Sequence, residues 1–182
     1  MRLANSSDAQ AIAAPHADSW RRHYRGAYSD AFLDGDMTSD RLAAWRKRLR
    51  EPDPLRYTIV VEHGGDLLGF AHTAFDEDPT WGALLDNLHV THGHKRRGIG
   101  SQLLALTALA VIERRTGLCL WVQEQNVAAQ AFYEAHGGKS VDRALISPPG
   151  GIASRLNGSP VKLRYAWSVE QLAEVYAPHH GD

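Results

Sequence analysis

Lys95-Arg96-Arg97-Gly98-Ile99-Gly100-Ser101 follows an apolar, strand-like run and leads straight into the helical pattern Gln102-Leu103-Leu104-Ala105-Leu106. Two glycines one residue apart at a helix start let the backbone come close to a ligand, and the unpaired N–H groups of the first turn then face it. The helix dipole favours an anion at that end, and the three basic side chains add charge without demanding a base or a sugar. The stretch reads as a phosphate loop. Spacing excludes two common kinds. A dinucleotide fingerprint needs a third glycine three residues after the second, where Leu103 stands, and no acidic residue closes a following strand at the usual distance. A Walker loop needs Gly-Lys-Ser/Thr after four intervening residues, which is absent.

The flanks narrow the reading. Upstream lies Leu84-Leu85-Asp86-Asn87-Leu88-His89-Val90; downstream come Leu118-Cys119-Leu120-Trp121-Val122-Gln123 and Asn126-Val127-Ala128-Ala129-Gln130-Ala131-Phe132-Tyr133-Glu134. Strand, basic glycine loop, helix, strand and a second short helix opened by Asn closely resemble the core of the GNAT N-acetyltransferase superfamily. In that family the loop reads Gln or Arg, two residues, Gly, one residue, Gly or Ala; Lys95, Gly98 and Gly100 fill those places. Asn126, Ala129 and Tyr133 match the family's downstream Asn, two residues, Ala, then Tyr. Two departures stand out: lysine at the loop's first position, and Gly138 where the family commonly has an aromatic, which is expected to weaken packing at the next strand. Trp20-Arg21-Arg22-His23-Tyr24-Arg25-Gly26 is similar to a segment of uncharacterised bacterial members.

The resemblance implies an α/β (α+β) fold with a mixed central sheet of about six to seven strands, mostly antiparallel around a splayed parallel central pair, and about four flanking helices. It also implies acetyl-CoA as cosubstrate, an amine acceptor on a small molecule or peptide, direct attack in a ternary complex, and no metal. It leaves room for a homodimer. The backbone amides of Arg96, Arg97, Gly98, Ile99, Gly100 and Ser101 are then expected to hold the pyrophosphate, with Lys95 as a further cofactor-binding residue. Leu88 and Val90 are expected to offer backbone groups to the pantetheine arm and acetyl carbonyl. Asn126 either contacts that arm or caps its helix.

Acetyl transfer also sets requirements. A lysine-like amine with pKa of ~10.4 must lose a proton before it can attack. Asp86, Asn87 and His89 on the central strand and Glu124 at the end of the next are candidates for base or water relay, and His89 has a suitable ordinary pKa. Strict alternation would put Asp86 on one strand face and Asn87 and His89 on the other, but the family commonly has a bulge here, so the choice stays open. For the departing thiolate the resemblance points to Tyr133 as general acid, against a packing role beside Phe132. Trp20, Tyr24 and Tyr28 and the loop from Ser147 to Pro160 are expected walls of the acceptor site.

Composition fits this reading. The 182 residues, 43% of them hydrophobic, are enough for one buried core, and a single domain over residues 1–182 with a flexible tail at 177–182 is expected. A formal charge of −1 gives no footprint for nucleic acid or an acidic membrane. Cys119 is the sole cysteine, so no internal disulfide can form, and a cytoplasmic location is expected. His89, His92 and His94 match neither a zincin pattern nor a Cys/His zinc site, and His179 and His180 belong to the tail. A noncatalytic acyl-CoA sensor is the alternative class.

Along the chain, Arg2 to Ala4 reads as a strand, and Ser7 or Asp8 as the cap of a helix ended near Gly26. A second helix runs from Ser39 or Asp40 to about Arg50, stopped by Pro52 and Pro54. Tyr57–Val61 and Leu67–Thr73 form a hairpin, with Asp76 to Pro79 as a loop before the Leu84–Val90 strand. Lys139–Ile146 and Val161–Trp167 are further strands, joined by a long mobile loop, before a helix over Val169–Tyr176.

Overall fold

A computed structural model describes residues 1–177. Of the tail read over 177–182, residues 178–182, with His179 and His180, lie outside the described residues. Seven strands form one sheet: β1 (Arg2–Leu3), β2 (Arg56–His63), β3 (Asp66–Asp78), β4 (Gly82–Val90), β5 (Leu118–Gln123), β6 (Lys139–Leu145) and β7 (Val161–Trp167), in the order β1-β2-β3-β4-β5-β7-β6. Every neighbouring pair is antiparallel except β4 and β5. The helices are α1 (Ala9–His23), α2 (Asp30–Leu33), α3 (Met37–Arg48), α4 (Ile99–Glu113), α5 (Val127–Ala135) and α6 (Val169–Tyr176). None among the described residues is long and apolar enough to cross a membrane. The expected sheet is present; five helices of eight residues or more replace the expected four, and the single turn α2 adds to them.

The sheet carries apolar side chains on both faces. On one face α4, α5 and α6 pack over Leu85, Leu120, Tyr165 and Trp167; on the other α1 and α3 pack over Val60 and Phe70 through Ile12 and Trp45. Helix α4 reaches the sheet because β3 has Gly69 beneath it, where a Cβ would lie 2.8 Å from the His89 carbonyl and 3.2 Å from Ile99. Gly138, expected to weaken packing, does the reverse. The Trp167 indole occupies the space, so that a Cβ on residue 138 would sit 2.5 Å from its ring.

Local readings shift at several ends. Asp8 does not cap α1 with its side chain; its carboxylate accepts from the Asn5 backbone N–H and pairs with Arg2, while Asn5 caps the preceding 3-10 turn. Helix α3 begins at Met37 because Asp36, not Ser39 or Asp40, accepts from the Ser39 backbone N–H. Strand β3 continues through Asp76-Glu77-Asp78, read as loop, where two of the three carboxylates have cationic partners: Arg56 for Glu77 and Arg164 of β7 for Asp78. The segment between β6 and β7 is stitched to the turn after α1, with Ser29 N–H donating to Arg155 and Asn157 N–H to Ala27.

Candidate functional site

Strands β4 and β5 stay together only at Ala83–Leu118 and Leu84–Cys119 and then part. The cause lies in β4. Its register against β3 skips Asp86, with Leu85 opposite Thr73 and Asn87 opposite His72. This bulge bends the strand and reverses its phase. Ala83 and Leu85 face the α4 core before it, as Leu88 and Val90 do after it, leaving Asn87 and His89 toward α1. The parting opens a cleft of about 710 Å³ through the sheet.

At one end of the cleft is the loop before α4. Its geometry suits an anion because Arg96 and Gly98 both have positive φ, +62° and +79°, so successive N–H groups turn toward one side ahead of the helix start. Lys95, Arg96, Gly98, Ile99, Gly100 and Ser101 line the cleft; Arg97 does not. The Ile99 side chain is buried in the core, leaving only its backbone for a ligand. Lys95 lies against the end of α1, its Nζ 2.9 Å from His23 Nε2. Ser101 Oγ is 2.9 Å from His136 Nε2, and the other ring nitrogen is 2.8 Å from the Phe132 carbonyl. A carbonyl only accepts, so the proton sits on Nδ1 and Ser101 donates to Nε2.

Along the middle, Thr91 N–H bonds the Leu68 carbonyl of β3. By antiparallel alternation, His89 directs its backbone groups the same way, while Leu88 and Val90 turn theirs to the cleft. Asn126 takes the capping role, its Oδ1 accepting from Ala129 N–H at 3.2 Å, and its side chain still borders the cleft. Tyr133 also borders it while packed edge-on to Phe132 and Trp167 at 5.2 and 6.2 Å between centroids. The packing and cleft readings of Tyr133 therefore coexist. Burial raises its pKa well above the ordinary phenol, so the hydroxyl keeps its proton.

The base candidates separate. Glu124 is held by Arg143 at 2.9 Å on the surface and does not line the cleft, because the sheet edge carries it outward. Asp86 is paired with Arg48 of α3 at 2.6 Å and accepts from Asn87 Nδ2 at 2.7 Å. His89 Nδ1 lies 2.9 Å from Ser19 Oγ. Burial, with the His23 and Lys95 charges, lowers its pKa to about 4, so its ordinary titration near neutrality is lost. The three histidines behind the site form a neutral buried group. His16 receives Trp20 Nε1 at Nε2 (2.8 Å) and Trp45 Nε1 at Nδ1 (2.9 Å), although a neutral imidazole has one acceptor nitrogen and can satisfy only one indole at a time. His72 sits 2.7 Å from Thr58 Oγ and is lowered to about 4 by burial.

This group predicts acid sensitivity. Unfolded histidines bind protons near 6.5, whereas folded His72 and His89 do not until about 4. The unfolded state is therefore the more protonated between these values, and stability falls as pH drops through that window. The shifts correspond to on the order of 3 kcal/mol for each group. Urea midpoints at pH 7, 6, 5 and 4.5 are expected to decline steadily, less steeply in His72→Gln. A flat profile over this range would contradict it.

Of the expected acceptor walls, Trp20, Tyr24 and Tyr28 come together, whereas only Ser147 of the loop from Ser147 to Pro160 lines the cleft. Tyr24 and Tyr28 stack at 5.2 Å, with Trp20 at 4.9 Å from Tyr24 and 5.4 Å from Tyr28. Gln125 holds this turn over the cleft by donating to the His23 and Arg25 carbonyls at 3.0 and 2.9 Å. Sequence reading missed Arg41 and Arg48 of α3 and Lys162 of β7, which line the same half. Their helix and strand patterns look like ordinary solvent faces.

The family model described as Acetyltransferase (GNAT) family matches residues 17–138. No curated protein sequence matches the chain. Among solved structures, an N-acetyltransferase of Staphylococcus aureus shares 18% identity at TM-score 0.67, covering 92% of this chain and 96% of that one. An acetyltransferase of Thermus thermophilus shares 20% at TM-score 0.64, covering 91% and 95%. The PaiA N-acetyltransferase of Thermoplasma acidophilum, solved with coenzyme A, shares 17% at TM-score 0.65, covering 91% and 97%.

Proposed function

The chain belongs to the GNAT acetyltransferase family, and from that premise we propose that it moves the acetyl group of acetyl-CoA to a primary amine by direct attack in a ternary complex. The observation that carries the reading is the cleft itself. An amide-lined anion cradle stands at one end, the turned-out backbone of Leu88 and Val90 lies along the middle, and a protonated phenol borders it. Lys95, Arg96 and Arg97 supply charge near the pyrophosphate, and the amides from Arg96 to Ser101 supply the hydrogen bonds. In the transfer a C–N bond forms and the C–S bond breaks. The amine gives one proton to neutral His89, or to water beside it, and on to solvent through Ser19. Tyr133 gives one to the thiolate and is reprotonated from solvent. Asp86, tied to Arg48, and Asn87 position this strand rather than accept the proton.

Steady thiol release from acetyl-CoA with a panel of small amines, amino acids and peptide N-termini tests the function. Binding of acetyl-CoA with no thiol release across the panel would instead favour a noncatalytic sensor. A second expectation concerns pH. With His89 held at about 4, its own titration does not shape the profile near neutrality, so kcat/KM is expected to rise about tenfold per pH unit from 6 toward the acceptor's own pKa. A plateau set in above pH 6.5 that His89→Gln removes would restore an ordinary histidine base.

A further inference from the structure

The acceptor half of the cleft holds three cations, Arg41, Arg48 and Lys162, against one carboxylate, Asp86. Arg48 and Asp86 neutralise each other at 2.6 Å. Lys162 has no such partner: among the described residues no carboxylate lies within ion-pair distance of it, and its Nζ rests over the Trp121 ring at 4.4 Å. Burial and the neighbouring Arg164 lower its pKa, and a carboxylate placed beside it would restore the charged form. Arg41 is held by Asp40 and stacks 4.3 Å above Trp20, with its side chain 18% exposed.

These cations are distinct from those of the phosphate cradle. Lys162 stands opposite Gln123 on β7, on the sheet face away from Leu163 and Tyr165, which pack with α4. Arg41 comes from α3 on that same side. The cradle before α4 has its own Lys95 and Arg96. The excess positive charge therefore faces whatever enters from the α1 and α3 side.

Resting on the acetyl-transfer reading above, we propose that the acceptor is an amine that also carries a carboxylate, with an aromatic or apolar body lying on Trp20, Tyr24 and Tyr28 and its acid group turned to Lys162 and Arg41. A planar carboxylate suits a guanidinium already oriented by its stack, and it completes the desolvated lysine. A polyamine would find no unpaired carboxylate there and would meet the one uncompensated cation, Lys162.

Matched pairs test this: phenylalanine against 2-phenylethylamine, leucine against isoamylamine, and spermidine as a polycation. With acetyl-CoA, kcat/KM is expected to be at least tenfold higher for each acid after correction for the fraction of neutral amine. Lys162→Met is expected to collapse the acid-to-amine ratio toward one, and Lys162→Arg to keep it. Equal or inverted ratios, or spermidine as the better acceptor, would overturn the proposal. So would a Lys162→Met variant whose chief defect is acetyl-CoA affinity, since that would assign the lysine to the donor. A turnover-free arm separates this from failure of the parent reading. With coenzyme A bound, tryptophan fluorescence titrations are expected to show N-acetylphenylalanine binding at least tenfold tighter than N-acetyl-2-phenylethylamine. Equal affinities overturn the acceptor class even if no amine is ever acetylated.

Discussion

Tyr133→Phe is expected to lower kcat by about 10²- to 10⁴-fold, the usual contribution of a positioned general acid, while the acetyl-CoA Kd stays within about threefold. The substitution removes one hydroxyl and keeps the ring. The contacts to Phe132, Tyr165 and Trp167 that seat α5 on the sheet are ring contacts, so the fold keeps them. Burial raises the Tyr133 pKa, which at first sight makes the phenol a poorer acid. The departing thiolate occupies the same cleft, however, and desolvation disfavours that anion as well. Proton transfer between them is governed by the difference, which changes less than either value. Because the phenol stays protonated, the rate is expected to show no loss assignable to Tyr133 below about pH 10. Pre-steady-state kinetics establish whether chemistry limits turnover. A chemistry-limited variant with unchanged kcat would return Tyr133 to a purely packing role.

The donor half was legible in the sequence because its demands fall on the backbone. Gly98 and Gly100 at a helix start, and Asn126 three residues before Ala129, are local patterns whose meaning needs no distant partner. The parallel pair and its splay followed from the resemblance, but the position of the bulge did not. Skipping one residue at Asp86 is a tertiary choice: alternation in Leu84 to Val90 is compatible with either phase, and only packing against β3 and α4 selects one. The surroundings of the base candidates were illegible for a related reason. The ordinary pKa of His89 says nothing of the His16, Phe70 and Ser19 side chains around it, and Glu124 is turned outward by its place at the end of β5. Charged residues deceived in both directions. Asp76 to Asp78 looked like a loop because the arginine partners of Glu77 and Asp78 lie far along the chain, at Arg56 and Arg164. Arg41, Arg48 and Lys162 looked like solvated faces, since nothing local shows that α3 and β7 close on one cleft. Four residues are too few for α2 to show a period at all.

Gly98→Val is expected to raise the acetyl-CoA Kd at least about a hundredfold, near 2.7 kcal/mol, in calorimetry, with the circular dichroism of the fold retained. A Cβ at this position meets nothing within 4 Å, so the effect cannot come from a clash inside the protein. It comes from φ of +79°, which a β-branched residue resists. Holding valine there costs about 1–3 kcal/mol. The chain can escape by rotating the peptide before α4, and that rotation takes N–H groups out of the concave row meant for the pyrophosphate. Strain and binding thus draw on the same torsion: a loop that relaxes in the free protein must be strained again to bind, which raises Kd, whereas strain held in both states would lower stability alone. Gly98→Ala, with no β-branch but subject to the φ penalty of any L residue, is expected to fall between wild type and valine. Lys95→Met serves as the contrast: its ammonium is exposed and screened, so its loss is expected to weaken binding by no more than about tenfold and to reduce the salt dependence. If Gly98→Val bound acetyl-CoA within threefold of wild type while Lys95→Met lost it, side-chain charge rather than backbone geometry would hold the phosphates, and the loop would have to be reassigned.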